Sequence, residues 1–189
     1  MLLETIRCEN GVALYLPYHQ SRLYQSLRTL STTQTYDLQS LIVPPMNGVY
    51  RCRFLYNAAE FTIEFHPYIP RSITSLKLIH DNTIAYPLKY SNRKALNILY
   101  EQRGECDDIL IVKNGLLTDT TIANIALQIE GKWFTPDTPL LMGTTRARLI
   151  EEGFLTPAPL RPEDIAKASK IAIINAMVGF IEVENGIIG

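Results

Sequence analysis

The residues best suited to chemistry in this chain are a lysine, a carboxylate and a glycine-led pair of threonines, all between positions 88 and 146. Lys89 follows Pro87-Leu88 and precedes Ala95, Leu96 and Leu99, a helical spacing that closes at Gly104. The pattern predicts a helix from near Ser91 or Asn92 to Gly104. A lysine at the positive end of a helix dipole is disfavoured as an ammonium, and the neutral amine attacks aldehydes. Asn114-Gly115 predicts a two-residue hairpin that pairs Lys113 with Leu116 and brings Asp119 opposite Leu110. Gly143-Thr144-Thr145-Arg146 opens a predicted helix that stops at Gly153. Threonine at such a start serves as a simple cap. Upstream, Arg22 follows His19 by three residues on one helix face. Taken alone it reads as a helix-surface arginine.

Several elements must position these groups. Leu2 to Arg7 reads as a strand, Glu9-Asn10-Gly11 as a turn and Val12 to Leu16 as a returning strand broken by Pro17. His19 to Leu30 carries Leu23, Leu27 and Leu30 at helical spacing, and Tyr36 to Ile42 suits a short helix. Gly48 to Tyr56 and Glu60 to Phe65 read as strands joined at Asn57-Ala58; Phe61, Ile63 and Phe65 alternate with polar residues, as on a half-buried antiparallel strand. Pro67 and Pro70 mark a boundary, which predicts a small N-terminal α+β unit over 1–70 and a C-terminal cofactor-binding unit over 71–189. In the second unit, Ile73 to Ile79, Asp108 to Val112, Ile125 to Ile129, Lys132 to Thr135 and Ile171 to Ile174 read as strands. Pro162 suits the first position of a short helix through Ala168.

With 189 residues, 47% of them apolar and 20% charged, the chain has the composition of a globular protein with a core. A net charge of −1 offers no electrostatic case for nucleic acid or an anionic membrane surface. No apolar run has the length of a membrane span. The N-terminus lacks the pattern of a signal peptide, and Cys8, Cys52 and Cys106 form no disulfide framework; a cytoplasmic home is expected. His19, His66 and His80 have no metal-ligand spacing, so no metal site is expected.

Motifs in sequence order add a resemblance. "LLETIRCENG" resembles the "FET-R…DG" strand and turn of the class IV aminotransferases, the fold type IV pyridoxal-phosphate enzymes. "YHQSRL" resembles their "H-x-x-R-L", and "LKYSNR" the strand end that bears the Schiff-base lysine. "DDILIVKNGLLTDTTIANIAL" resembles the hairpin with its carboxylate; "FTP" and "LLMGTTRARLIEEG" resemble "TP" and "L-x-G-I-T-R". The resemblance implies an α+β fold of two small α/β subdomains, like D-amino-acid aminotransferase. The cofactor implied is pyridoxal 5'-phosphate. Lys89 would bind its aldehyde and shuttle protons. Asp119, one methylene shorter than the family glutamate, would hold a proton on the pyridine nitrogen. Thr144, Thr145 and Arg22 would hold the phosphate, with Asn175 also binding the cofactor; His19 would be structural and Asn124 would support the hairpin. Measured against the family pattern the chain is shortened at both ends, which leaves a wall of the substrate pocket to other residues. The family also implies a homodimer.

Three features bear on the activity. Lys89 and Asn92 are three apart, as in 4-amino-4-deoxychorismate lyase and the D-amino-acid enzymes; branched-chain enzymes resemble K-x-x-x-N-Y, and Lys94 stands in the place of that tyrosine. The first unit has no R-x-H pair to trap a substrate carboxylate, as the D-amino-acid enzymes do. "IINAMVGFIEV" resembles the lyase's "C-N-A-L-M-P-V", with Ala176 where transaminases have a phosphate-binding threonine. The expectation is a lyase converting 4-amino-4-deoxychorismate, a small-molecule amine, to p-aminobenzoate and pyruvate for folate biosynthesis. The alternatives are an aminotransferase of branched-chain or other amino acids, and a degenerate cofactor-binding paralogue without turnover.

Overall fold

A computed structural model of the chain describes residues 1–184 and 186–188. It contains two units: Met1–Pro70 with Leu88–Asn92, and Arg71–Pro87 with Arg93–Gly189. The first unit contains β1 (Leu2–Glu9), β2 (Val12–Ala13), α1 (Leu16–Thr29), α2 (Leu38–Leu41), β3 (Val49–Tyr56) and β4 (Phe61–Pro67). The strands form one antiparallel sheet in the order β2-β1-β3-β4. Asn10 and Gly11 both have positive φ, as a two-residue hairpin requires. Pro17 stands in the first turn of α1, where its missing N–H costs no hydrogen bond. The stripe Leu16, His19, Leu23, Ser26 and Leu27 of α1 is buried. Leu23 and Leu27 belong with Ile6, Leu38, Phe54 and Tyr56 to one core, and burying each such side chain contributes about 1.5–3 kcal/mol.

Residues 88–92 return to this unit. Leu3 N–H donates to the Lys89 carbonyl at 2.8 Å, Ser91 N–H donates to the Met1 carbonyl at 3.0 Å, and Tyr90 bridges Leu2. Leu88 and Tyr90 pack on the unit's core. This pairing corrects the expected helix start. With those backbone groups held against β1, α3 begins only at Lys94, and Lys89 is not at its N-terminus.

The second unit contains β5 (Leu76–His80), α3 (Lys94–Tyr100), β6 (Asp108–Lys113), β7 (Leu116–Leu117), β8 (Asn124–Ile129) and β9 (Lys132–Pro136). These are followed by α4 (Thr144–Glu151), β10 (Leu155–Ala158), β11 (Lys170–Asn175), β12 (Gly179–Glu182) and β13 (Ile187–Ile188). One sheet runs β13-β5-β6-β7 and the other β10-β9-β8-β11-β12. Ile109, Leu110, Ile111 and Val112 are all buried, as in a strand covered on both faces. Lys113 pairs with Leu116 across Asn114-Gly115. The register then departs from simple alternation: Ile111 accepts from Thr118 N–H and donates to the Asp119 carbonyl. Two residues thus oppose one, a bulge that turns Asp119 away from Leu110 and towards a bridge with Asn124. Leu149 of α4 packs with Ala126, Leu155 and Ile174, which seats the helix on its sheet. Pro162–Lys167 forms a 3-10 turn. Among the described residues no helix is long and apolar enough to cross a membrane.

Candidate active site

In the first unit, a carboxylate organises the polar groups. Leu2, Glu4, Ile6 and Cys8 lie on the same side of β1 by strand alternation, and all are buried. Glu4 is 0% exposed. Its Oε1 accepts from Arg22 Nε at 2.9 Å, and its Oε2 from Arg22 Nη2 at 2.5 Å. His19 Nδ1 lies 2.7 Å from Oε2. Burial pushes the Glu4 carboxyl up, but the Arg22 charge and the hydrogen bonds from His19 and Arg22 outweigh it and hold the pKa at about 2. Glu4 is therefore ionised and can only accept, so His19 Nδ1 carries the hydrogen. Burial lowers the His19 pKa against the upward pull of Glu4, and the charges of Arg22 and Lys89 lower it further. The structure thus brings Lys89, through its backbone bond to Leu3, beside a neutral histidine and an arginine clamped by a carboxylate.

In the second unit, Asp119, Asn124 and the start of α4 come together. Asp119 is 4% exposed; its Oδ1 accepts from Asn124 Nδ2 at 2.7 Å and its Oδ2 from Leu141 N–H at 2.8 Å. Burial raises its pKa to about 7, against the opposing effects of Asn124, the Leu141 N–H and the Arg146 charge. Thr118 and Thr121 pin the surrounding loop, the first to the Ile111 carbonyl at 2.8 Å and the second to the buried Asp108 carboxylate at 2.8 Å. Asp107 accepts from the N–H groups and hydroxyls of Thr74 and Ser75. Asp107 and Asp108 are thus engaged in holding the fold. The helix α4 starts with buried Thr144 and Thr145 after Gly143, which offers no side-chain cap. Arg146 is buried in the same turn and donates from Nη2 to the Pro136 carbonyl at 2.7 Å. Asn175 closes the turn after β11 by accepting from the N–H groups of Met177 and Val178, and its Nδ2 donates to the Ile122 carbonyl at 3.3 Å.

With this geometry in place, comparison with known proteins is informative. The model of the family described as "Amino-transferase class IV" matches residues 54–185. The chain belongs to the class IV aminotransferases. A Haemophilus influenzae protein, named only as uncharacterized, is 41% identical over 184 residues, which cover 94% of this chain and 98% of that one. A crystal structure from Haemophilus somnus, of a protein provisionally named a 4-amino-4-deoxychorismate lyase, superposes with a TM-score of 0.89 at 36% identity, covering 94% of this chain and 96% of that one. A Mycobacterium tuberculosis protein named a hypothetical aminotransferase, in its PLP-bound form, shares the fold at a TM-score of 0.81 and 18% identity, covering 100% of this chain and 81% of that one.

Glu4 has no predicted role, Gly143 and Arg146 only that of opening a helix, and Asn124 only support of the hairpin. A signal for Glu4 was present: a carboxylate on the apolar side of an alternating strand requires a buried cation, and His19-x-x-Arg22 is the partner at helical spacing. Asn124 gave none, because its role depends on a bulge that strand alternation does not foresee.

Proposed function

We propose that this protein uses pyridoxal 5'-phosphate to convert 4-amino-4-deoxychorismate to p-aminobenzoate and pyruvate. The observation that carries the reading is the similarity to the Haemophilus somnus protein, 36% identical over nearly the whole of both chains. The groups present suit the cofactor. An uncapped helix start with two buried threonines suits a phosphate, as does the Arg22 guanidinium. A buried carboxyl suits a pyridine nitrogen, and a lysine amine suits an aldehyde. The residues assigned to the cofactor are Lys89, Arg22, Asp119, Thr144, Thr145 and Asn175.

Bound, the cofactor supplies an electron sink for charge developing at the substrate carbon. Lys89 Nζ removes the proton from the amine-bearing carbon and returns it as the leaving group becomes pyruvate. Asp119 is the buried carboxyl that would face the ring nitrogen, and its carboxylate form would keep a proton there. Glu4 keeps the Arg22 fork in one orientation. The test is product analysis with cofactor-loaded protein and 4-amino-4-deoxychorismate. The expected products are p-aminobenzoate and pyruvate in equal amounts. A keto acid formed from an amino acid, with pyridoxamine phosphate, would instead make the protein an aminotransferase. Cofactor uptake without any product would make it a binding paralogue.

A further inference from the structure

We propose that Asn124 is a positioning residue that locks the Asp119 carboxylate to the opening turn of α4, so that one side chain sets the group assigned to the ring nitrogen and the groups assigned to the phosphate. The inference rests on the cofactor reading above and adds a residue to it. Both hydrogens of the Asn124 amide are used, one on Asp119 Oδ1 at 2.7 Å and one on the Leu141 carbonyl at 2.9 Å. The Leu141 N–H in turn donates to Asp119 Oδ2 at 2.8 Å. The three residues close a ring of hydrogen bonds, and with two acceptors in front of it the nitrogen of the amide cannot exchange places with its oxygen. That oxygen therefore points at Gly143, the cap of α4. A Cβ at Gly143 would stand 1.9 Å from Asn124 Oδ1.

Gly143 has φ −72° and ψ 140°, backbone angles that any residue adopts. The other described glycines have positive φ and a conformational reason to be glycine. At Gly143 the reason is the Asn124 side chain, whose oxygen stands in the way of an added Cβ. The helix start is therefore built against the same amide that holds the carboxylate. Arg146, in the first turn of α4, adds its charge to the surroundings of Asp119 and so belongs to the same assembly.

The test compares Asn124→Ala, Gly143→Ala and the double variant with the unaltered protein. Two quantities are read: the Asp119 titration by carbon-13 NMR without cofactor, and the dissociation constants of pyridoxal 5'-phosphate and of pyridoxal, which lacks the phosphate. Gly143→Ala, although it does not touch Asp119, should shift the Asp119 titration by displacing Asn124. It should also weaken pyridoxal 5'-phosphate binding by roughly tenfold to a hundredfold, the loss expected when a charge-assisted hydrogen bond is broken. In the Asn124→Ala background the added Cβ occupies vacated space, so Gly143→Ala should cost nothing further. An unmoved Asp119 titration in Gly143→Ala, or losses that add in the double variant, would overturn the proposal. Should Asn124→Ala not fold, Asn124→Ser takes its place, while the Gly143→Ala titration stands by itself. Protein that takes up no pyridoxal 5'-phosphate would overturn the functional reading, and the titration would still decide the coupling.

Discussion

Lys89 carries the functional assignment, and its surroundings shape what its replacement should do. Lys89→Ala should leave the fold intact, because the bond from Leu3 is made to its backbone carbonyl. Cofactor should still bind, but borohydride should no longer fix it to the protein. Peptide mapping of the reduced wild type checks the assignment, and cofactor on Lys94 or Lys113 would refute it. Lys113 is a poor rival, since its Nζ already donates to the Ile84 carbonyl at 2.5 Å. Asp119 makes a second prediction, in the cofactor-free protein. Its folded pKa of about 7 lies above the ordinary value of 3.8, so between these values the folded state holds a proton that the unfolded chain has released. The stability this contributes is fully present below about pH 3.8 and lost as pH rises through about 7. Asp119→Asn should remove that slope, gaining on wild type in urea midpoint between pH 5 and 8 while losing most turnover. Identical pH dependences would mean that Asp119 is ionised throughout that range.

At the scale of elements, the hairpins and the helix starts were legible where local chemistry decides them. Asn10-Gly11, Asn114-Gly115 and Glu130-Gly131 all form turns with positive φ at both residues. Gly143 and Gly153 bracket α4, and the last turn of that helix is followed by the positive φ that glycine allows. What was not legible depends on partners distant in sequence. The helix after Lys89 starts late because residues 88–92 pair with β1, some 85 residues earlier in the chain. The bulge at Thr118-Asp119 moved Asp119 from the expected register, and the short strands β10 and β12 carry too little pattern to be read alone. The packing of α1 on β1 makes a third prediction. Glu4 has a pKa of about 2 in the fold against 4.5 ordinarily, so its contribution is present above about pH 4.5 and lost as pH falls towards 2. Glu4→Gln should flatten this acid limb and lower stability at pH 7 by about 3 kcal/mol, because the partly buried Arg22 loses the Glu4 charge. Urea denaturation at pH 7 and pH 3 measures both effects, and an unchanged midpoint at pH 7 would mean that the pair contributes nothing net.

At the scale of the molecule, the chain crosses from one unit to the other around Lys89, and this has a measurable consequence. The core of the first unit includes Leu88 and Tyr90. Amide hydrogen exchange reads local opening within each unit at its own backbone bonds. Ser91, although flanked in sequence by residues of the second unit, donates its N–H to Met1; Leu3 donates to Lys89; Ile111 donates to Asp119 inside the second unit. Glu4→Gln destabilises the first unit. If that loss is about 3 kcal/mol, exchange at Leu3 and Ser91 should rise together by roughly a hundredfold. Ile111 should keep its wild-type rate. Ser91 staying with Ile111 instead of Leu3 would show that residues 88–92 are held by the second unit. Ser91 moving with Leu3 would show that Lys89 is carried by the same folding unit as Glu4, His19 and Arg22, so that the stability of their buried pair also governs how firmly the lysine is held.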